Sequence, residues 1–469
     1  MNWLLAAALC VALVEMFMAL PLAAPLRALT RSAGKAARVV SAKGVSDHWK
    51  EKAMGAYARA TFAATGRLAL LLGLIFAAAY ALVLLFDAVS GGFEAFLLSW
   101  TGIIATLVLA TGYAVARRKL GGASDYSALD KLLHRAALGA RPIAEMSFDL
   151  DQGQAKPDVA AVRAGRHVFV TGLARAGTTI LMRRIHGGGG FRSLTYRDMP
   201  FVLAPNLWGA KIGAAKAGTE AAERAHGDRI KVSVDSPESL DEVFWRVFDG
   251  ESYIAPDHLL PHRPDEELRG RFAAYVGAIL KSGGGSRYLS KNNNNVLRLP
   301  ALRATFPEAL ILVPFRDPLT HARSLMRQHE NFLDQQRGDP FVASYMTWLG
   351  HHEFGRDHRP FRFGDAEAAR LAALDPGTLD YWLEVWRQTY AHVEQTAPAD
   401  AIFVCYETLC EDPSVWERLA GIVGVEGGSD EEPFSLGRGA QAEGVSPAAL
   451  EEARAIYDRL ARRAADALG

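Results

Sequence analysis

Gly172-Leu173-Ala174-Arg175-Ala176-Gly177-Thr178-Thr179 decides how this chain folds, because the sequence changes character on either side of it. Upstream, His167-Val168-Phe169-Val170-Thr171 is an apolar, β-branched run that reads as a buried strand. Downstream, Ile180-Leu181-Met182-Arg183-Arg184-Ile185 reads as the first turns of a helix. Strand, glycine-rich turn and helix form the context of a phosphate loop. The glycines let backbone N–H groups converge on an anion, and the helix N-terminus adds partial positive charge. A Walker A loop would place lysine where Thr178 stands. Here the cation is Arg175, inside the loop. That displacement points away from nucleotide hydrolysis and towards transfer of another group from a nucleotide-like donor.

The 469 residues suffice for more than one domain. A net charge of zero argues against a nucleic-acid partner as a whole-protein effect. The first 120 residues are far more apolar than the rest. Cys10, Cys405 and Cys410 are the only cysteines, and they show neither a CxxC spacing nor a disulfide framework, which suits a reducing compartment.

Residues 1–119 read as a transmembrane region. Apolar segments at about 3–22, 68–86 and 95–116 each approach the roughly 20 residues that cross a bilayer. Ser90-Gly91-Gly92-Phe93 makes the second and third a hairpin. The connection 23–66 carries Arg27, Arg31, Lys35, Arg38, Lys43, Lys50, Lys52 and Arg59, and Arg117-Arg118-Lys119 ends the third segment. The hairpin tip has no basic residue. The positive-inside rule therefore predicts a multi-pass protein of the inner (cytoplasmic) membrane, with its N-terminus outside and its C-terminal domain in the cytoplasm. The first segment lacks a basic start and contains Glu15, so it fits a cleaved signal poorly. Glu15 faces a helix partner or a cavity, or is simply satisfied within the bundle. The connection reads either as an interfacial helix against lipid headgroups or as a solvated basic connector. Packing in a membrane also allows self-association.

After a linker at 120–160, residues 161–469 have the composition of a globular α/β domain. Candidate strands are Val168–Thr171, Arg192–Thr195, Tyr288–Lys291, Leu310–Phe315 and Ile402–Tyr406. Helical patterns such as Pro237–Phe248, Glu266–Leu280 and Leu379–Val393 lie between them. This alternation predicts a three-layer αβα domain around a central parallel sheet. Ligands of such sheets bind beyond the carboxyl ends of the strands. The residues found there are Tyr196-Arg197-Asp198, Lys291-Asn292, Arg316-Asp317-Pro318 and Tyr406-Glu407-Thr408.

With these segments in view, Gly172–Thr179 resembles the 5′-phosphosulfate loop of the sulfotransferases that use 3′-phosphoadenosine 5′-phosphosulfate (PAPS). Arg316-Asp317-Pro318, with Ser324 eight residues beyond Arg316, is similar to that family's 3′-phosphate site. Phe403-Val404-Cys405-Tyr406-Glu407-Thr408-Leu409, followed by Asp412-Pro413, is similar to its donor-contacting segment near the C-terminus. The three motifs stand in the family's order and span most of Val168 to Pro413.

The resemblance implies a P-loop-like fold, PAPS as co-substrate with no metal, and sulfuryl transfer to a hydroxyl or amine acceptor. Such transfer depends on positioning an in-line displacement and neutralising charge on the leaving 5′-phosphate. The loop amides with Arg175, Ala176, Gly177, Thr178 and Thr179 would bind that charge. Arg316 and Ser324 would hold the 3′-phosphate, unless Arg316 is committed to an ion pair with Asp317 or Glu407, and Tyr406 would contact the donor. The implied base is Asp198, where many relatives have Glu; the alternative is that Asp198 pairs with Arg197 or caps the next helix. Glu238, Asp241 and Glu242 are rivals, although Glu238 also suits the first turn of a helix capped at Ser236. His226, near Gly227-Asp228, is a further rival base or merely polar surface. Lys291 matches a lysine that relatives carry near the transferred group. Asn292–Asn295 either hydrogen-bonds a sugar-like acceptor or shapes a turn.

His351, His352 and His358, with Glu353 and Asp357, match no zinc spacing. Trp245, Trp348, Trp382 and Trp386 read as core or pocket lining. Gly437-Arg438-Gly439 is either a lid or a surface turn, and Glu451–Leu468 an amphipathic closing helix. The acceptor is expected to be a lipid, glycan or small metabolite near the membrane. Competing readings are a kinase-like P-loop enzyme and a catalytically silent, nucleotide-binding membrane scaffold.

Overall fold

A computed structural model of the chain describes residues 2–20, 25, 39, 47–120, 128–212, 222–223, 231–232, 240–425, 434–436 and 444–469. The chain divides into two compact units, Met1–Asp125 and Tyr126–Gly469.

In the first unit, the helices Asn2–Ala19, Asp47–Ser90, Phe93–Leu98 and Trp100–Leu120 follow one another. Gly91 and Gly92, both at positive φ, turn the chain between the second and third. Ala6, Leu9 and Phe93 form a small buried cluster joined by Leu82, Phe86 and Leu109. Glu15 is satisfied across the bundle, where it accepts a hydrogen bond of 2.8 Å from the Tyr113 hydroxyl. Three departures from expectation are clear. The second helix begins at Asp47, so the end of the expected basic connection is helical; most of residues 23–46 lie outside the described residues. The third segment breaks at Ser99, whose hydroxyl donates to the Phe96 carbonyl and accepts from the Gly102 amide. Finally, among the described residues Gly55–Ser90 alone is long and apolar enough to cross a membrane, while Leu5–Phe17 and Trp100–Tyr113 are shorter apolar helices. Phe62, Phe76 and Leu70 point outward from the long helix, an apolar exterior of the kind lipid covers.

In the second unit, five strands form one sheet: β1 Val168–Val170, β2 Phe191–Arg192, β3 Arg287–Lys291, β4 Leu310–Phe315 and β5 Ile402–Cys405. Their order is β2-β3-β1-β4-β5 and every pairing is parallel. Val170 pairs with Lys291 on one side and Leu312 on the other, which fixes where the strand ends come together. The strands are apolar throughout because both faces are covered. Val168, Val170, Leu312 and Val404 pack on one side with Leu181, Ile185 and Trp416. Phe169, Ile311, Val313 and Phe403 pack on the other with Phe272, Tyr275 and Trp386. Pro314, which has no N–H, sits where β4 has outrun β1; its carbonyl accepts from the Tyr390 hydroxyl at 2.9 Å. The terminal helix Pro447–Leu468 buries Leu450, Ala453, Ile456, Leu460 and Ala464, closing the domain.

Residues 126–160 are not the linker the composition suggested. Helices Ala128–Ala137, Arg141–Ala155 and Val159–Arg163 belong to the second unit. Phe148 is 3% exposed and lies 4.9 Å from Phe248 and 5.8 Å from Phe244, ring centre to ring centre. Asp151 accepts from the backbone amides of Asn206 and Leu207 and from the Asn206 side chain, so it ties this helix to the domain. Phe148→Ala in the full chain is expected to lower stability by about 3–5 kcal/mol in chemical denaturation; an unchanged midpoint would return the segment to the status of a linker.

Candidate active site

The phosphate loop connects β1 to the helix Thr178–Gly187. Gly177 adopts φ +89° at the helix N-cap, and no side chain caps the first turn. The first-turn N–H groups are thereby left to an anion rather than to the protein. A methyl group on Gly177 would lie 2.4 Å from the Tyr406 ring, so only glycine lets that ring pack against the loop. Gly172 is required by approach too: a Cβ there would meet the Pro314 carbonyl oxygen at 2.8 Å. Arg175 takes φ +71°, a left-handed conformation uncommon outside glycine and characteristic of functional turns.

The turn after β4 grips this loop from behind. Asp317 caps the helix Pro318–Gly338, accepting from the Thr320 amide at 2.8 Å. Arg316 Nη1 donates to the Arg175 carbonyl at 3.2 Å, and its guanidinium lies 4.9 Å from the centre of the Tyr406 ring. Its Nε is buried and, among the described residues, has no hydrogen-bond partner. Glu407 is a loose neighbour at 4.0 Å and accepts instead from the Asp317 amide at 3.1 Å. Arg175 Nε donates to Ser324 Oγ at 3.4 Å. Arg175, the Arg316–Ser324 segment and Tyr406, which lie far apart in sequence, thus form one cluster.

His321 completes the grip, and no sequence signal assigns it a role. It is fully buried, and its Nε2 donates to the Ala174 carbonyl at 2.8 Å. Burial pushes its pKa down to about 3, so the ring is neutral near pH 7. Its partner is a main-chain carbonyl, which has no residue-type signature. Burial likewise pushes the Tyr406 hydroxyl up to about 12, so it acts as a neutral hydrogen-bonding group.

The expected base, Asp198, is held otherwise. It is 3% exposed, and Oδ1 accepts from Arg192 Nη2 at 2.7 Å. Oδ2 accepts from the Thr195 amide at 2.7 Å and the Thr195 hydroxyl at 3.2 Å, a capping box for the short helix Tyr196–Asp198. The pairing partner is Arg192, not the neighbouring Arg197, and both carboxylate oxygens serve local structure. Glu238, His226 and the segment Gly437-Arg438-Gly439 lie outside the described residues.

Asp241 and Glu242 are buried in a polar network rather than open to an acceptor. Asp241 accepts from Tyr288, Ser290 and Asn292, and burial raises its pKa to about 6. Glu242 receives both Nη atoms of the fully buried Arg298, at 2.6 and 2.9 Å. Burial alone would raise its pKa, but Arg298 holds it below the usual range. Asn292–Asn295 are all buried. Asn292 donates to Glu242, Asn294 donates to the Gly350 carbonyl, and Asn295 accepts from Arg298. Asn293 instead donates to Glu353 at 2.9 Å.

Lys291 sits at the carboxyl end of β3, 8% exposed and one strand away from the start of the phosphate loop. It lies close enough to Glu353 to help keep that carboxyl ionised. His352 pairs with Asp357 at 3.0 Å, and His358 meets the Tyr381 hydroxyl at 2.8 Å.

Gly177→Ala combines strain at positive φ with the clash against Tyr406. It is expected to weaken binding of adenosine 3′,5′-bisphosphate (PAP) by about 10-fold or more in calorimetry. Equal affinity in the two proteins would contradict this account of the loop.

Residues 167–425 match the model of the sulfotransferase family described as Sulfotransfer_3. Among solved structures, sulfotransferase STF9 from Mycobacterium avium is similar at 17% identity, with 70% of this chain and 75% of that chain covered and a TM-score of 0.36. Sulfotransferase STF1 from Mycobacterium tuberculosis H37Rv gives 17% identity, 76% and 98% coverage, and a TM-score of 0.36. A sulfotransferase from Alicyclobacillus acidocaldarius gives 14% identity, 64% and 93% coverage, and a TM-score of 0.30. No curated protein matches the chain. The family match spans more than half of the sequence and contains the phosphate loop, the Arg316 turn and the Tyr406 segment, so this chain belongs to the sulfotransferase family.

Proposed function

We propose that the chain transfers a sulfuryl group from PAPS to a hydroxyl or amine on a lipid, glycan or small metabolite near a membrane. The observation that carries the donor assignment is the presence of two anion-binding elements joined by hydrogen bonds from Arg316, Arg175 and His321. The uncapped first turn at Thr178–Thr179 suits a 5′-phosphate. Arg316, whose buried Nε has no hydrogen-bond partner among the described residues, and the Ser324 hydroxyl suit a second phosphate on the ribose. A donor with phosphates at both ends of its ribose would use both. ATP would leave the second element empty.

During transfer, negative charge grows on the departing 5′-phosphate. In this reading the loop amides and Arg175 stabilise it, and the hydrogen bonds from His321 and Arg316 to the loop carbonyls support a loop oriented in advance. Lys291, at the adjoining strand end, supports the same role. When bound, PAPS would supply the sulfuryl group, and these residues would bind and orient it.

The long apolar helix Gly55–Ser90 supports attachment to a membrane. The basic residues that flank the apolar segments favour the inner membrane, an N-terminus outside and a cytoplasmic catalytic domain, where such a donor would be available.

Titration calorimetry with the full chain in detergent tests the donor. PAP is expected to bind, with ATP at least about 10-fold weaker. Arg316→Ala should weaken PAP by about 10–100-fold, the loss of one charge-assisted contact to phosphate. Equal binding of ATP and PAP, or an Arg316→Ala variant that binds PAP normally, would refute the assignment.

A further inference from the structure

The Tyr406 ring stands at the junction of the two anion-binding elements. Its edge packs on Gly177, the N-cap of the helix after the phosphate loop, so closely that a Cβ there would lie 2.4 Å from Cδ2 and 2.5 Å from Cε2. The Arg316 guanidinium lies over the same ring, its central carbon 4.9 Å from the ring centre. One side chain therefore touches the element that suits a 5′-phosphate and the element that suits a second phosphate.

The ring is itself braced. Its hydroxyl donates to the Ser435 carbonyl at 3.3 Å, and Phe434 meets it edge to face with ring centres 6.4 Å apart. Phe434 in turn lies 4.7 Å from the Arg184 guanidinium, which also stacks on Trp416 at 5.2 Å. Arg184 belongs to Thr178–Gly187, so the brace returns to the helix that the phosphate loop begins.

How Arg316 is held decides what it can bind. Nη1 donates to the Arg175 carbonyl. The opposite edge of the guanidinium, Nε with Nη2, is the fork that grips a phosphate side-on. Nε is buried and has no hydrogen-bond partner among the described residues. Glu407 does not close this fork. Its Oε1 stands 4.0 Å from Nε and accepts from the Asp317 amide, while Oε2 accepts from the Tyr457 hydroxyl at 3.3 Å. An aromatic face restrains a guanidinium without using any of its N–H groups, and the attraction grows where water is excluded. The Arg316 side chain is 13% exposed, so the ring holds it in such a place.

We propose that Tyr406 is a positioning residue acting through Arg316: its ring is a spacer that sets the distance between the 5′- and 3′-phosphate receptors, and so selects a nucleotide phosphorylated at both ends of its ribose. The proposal rests on the PAPS reading above. A ring that only contacted the nucleoside would favour PAP and AMP alike. A spacer favours PAP, because AMP has no phosphate to place on Arg316.

Calorimetry on the purified full chain in detergent, with PAP and AMP as probes, tests this. The quantity read is the ratio of the two affinities, which a partly folded sample does not change. Tyr406→Leu removes the aromatic face and is expected to lower the PAP preference by about 10-fold. Tyr406→Phe keeps the face and should hold the ratio within about threefold of wild type. In an Arg316→Ala background, Tyr406→Leu should move the ratio by less than about twofold, since the residue it acts through is gone. PAP and AMP weakened equally by Tyr406→Leu would overturn the proposal, as would a further loss of PAP preference in the Arg316→Ala background. If Tyr406→Leu binds neither nucleotide, Tyr406→Phe decides: a ratio kept supports the spacer, and one lowered by about 10-fold overturns it. A wild type that binds neither nucleotide, or binds AMP as tightly as PAP, would instead overturn the donor assignment.

Discussion

Two main-chain carbonyls, those of Ala174 and Arg175, carry the geometry of the donor site. His321 donates to the first and Arg316 to the second, and both side chains come from the turn and helix that follow β4. The loop is thereby fixed against the very segment that supplies the second anion-binding element. A phosphate loop held only by its own glycines would have to order itself on binding. Here that cost is met during folding, and the strained φ of Arg175 is retained because the surroundings over-determine it.

A second constraint lies beneath the strand ends. Arg298 is 0% exposed, shares both Nη atoms with Glu242, and donates Nε to His262, which in turn meets Asp249 at 2.8 Å. Burial and the neighbouring Arg298 push the His262 pKa down to about 4, so this ring is neutral and Arg298 carries the positive charge. An ion pair of this kind adds little net stability over an apolar replacement. Its contribution is placement, since Glu242 packs on Gly350 and Asn292 joins Glu242 to the end of β3. The network connects Lys291, the asparagine run and the segment before Glu353 in one rigid support.

The donor side of this site was legible in the sequence because its signals are local. A glycine-rich turn between an apolar strand and a helix, and an Arg-Asp-Pro turn with a following serine, each report their own geometry. The five strands were visible for the same reason, although β2 is Phe191–Arg192 rather than Arg192–Thr195. The rest depends on contacts between distant residues. Asp198 reads as a free carboxylate until Arg192 is seen folded onto it. Asn292–Asn295 reads as an acceptor-binding run or a turn until Glu242 and Arg298 are found buried beneath it. The helix Arg141–Ala155 starts after Ala140 with no side-chain cap, so Pro142 in its first turn is a lone local mark of its beginning. Glu353 drew attention only as a neighbour of histidines, and its place beside Leu173 and Ala174 is purely tertiary.

The central claim is that one rigid cluster recognises both phosphates of a 3′,5′-bisphosphate nucleotide. A crystal structure of the protein with PAP bound tests it most directly. The account predicts the 5′-phosphate on the amides of Gly177–Thr179 and the 3′-phosphate on Arg316 and the Ser324 hydroxyl, with the loop backbone unmoved. A 3′-phosphate bound elsewhere, away from Arg316 and Ser324, would contradict it.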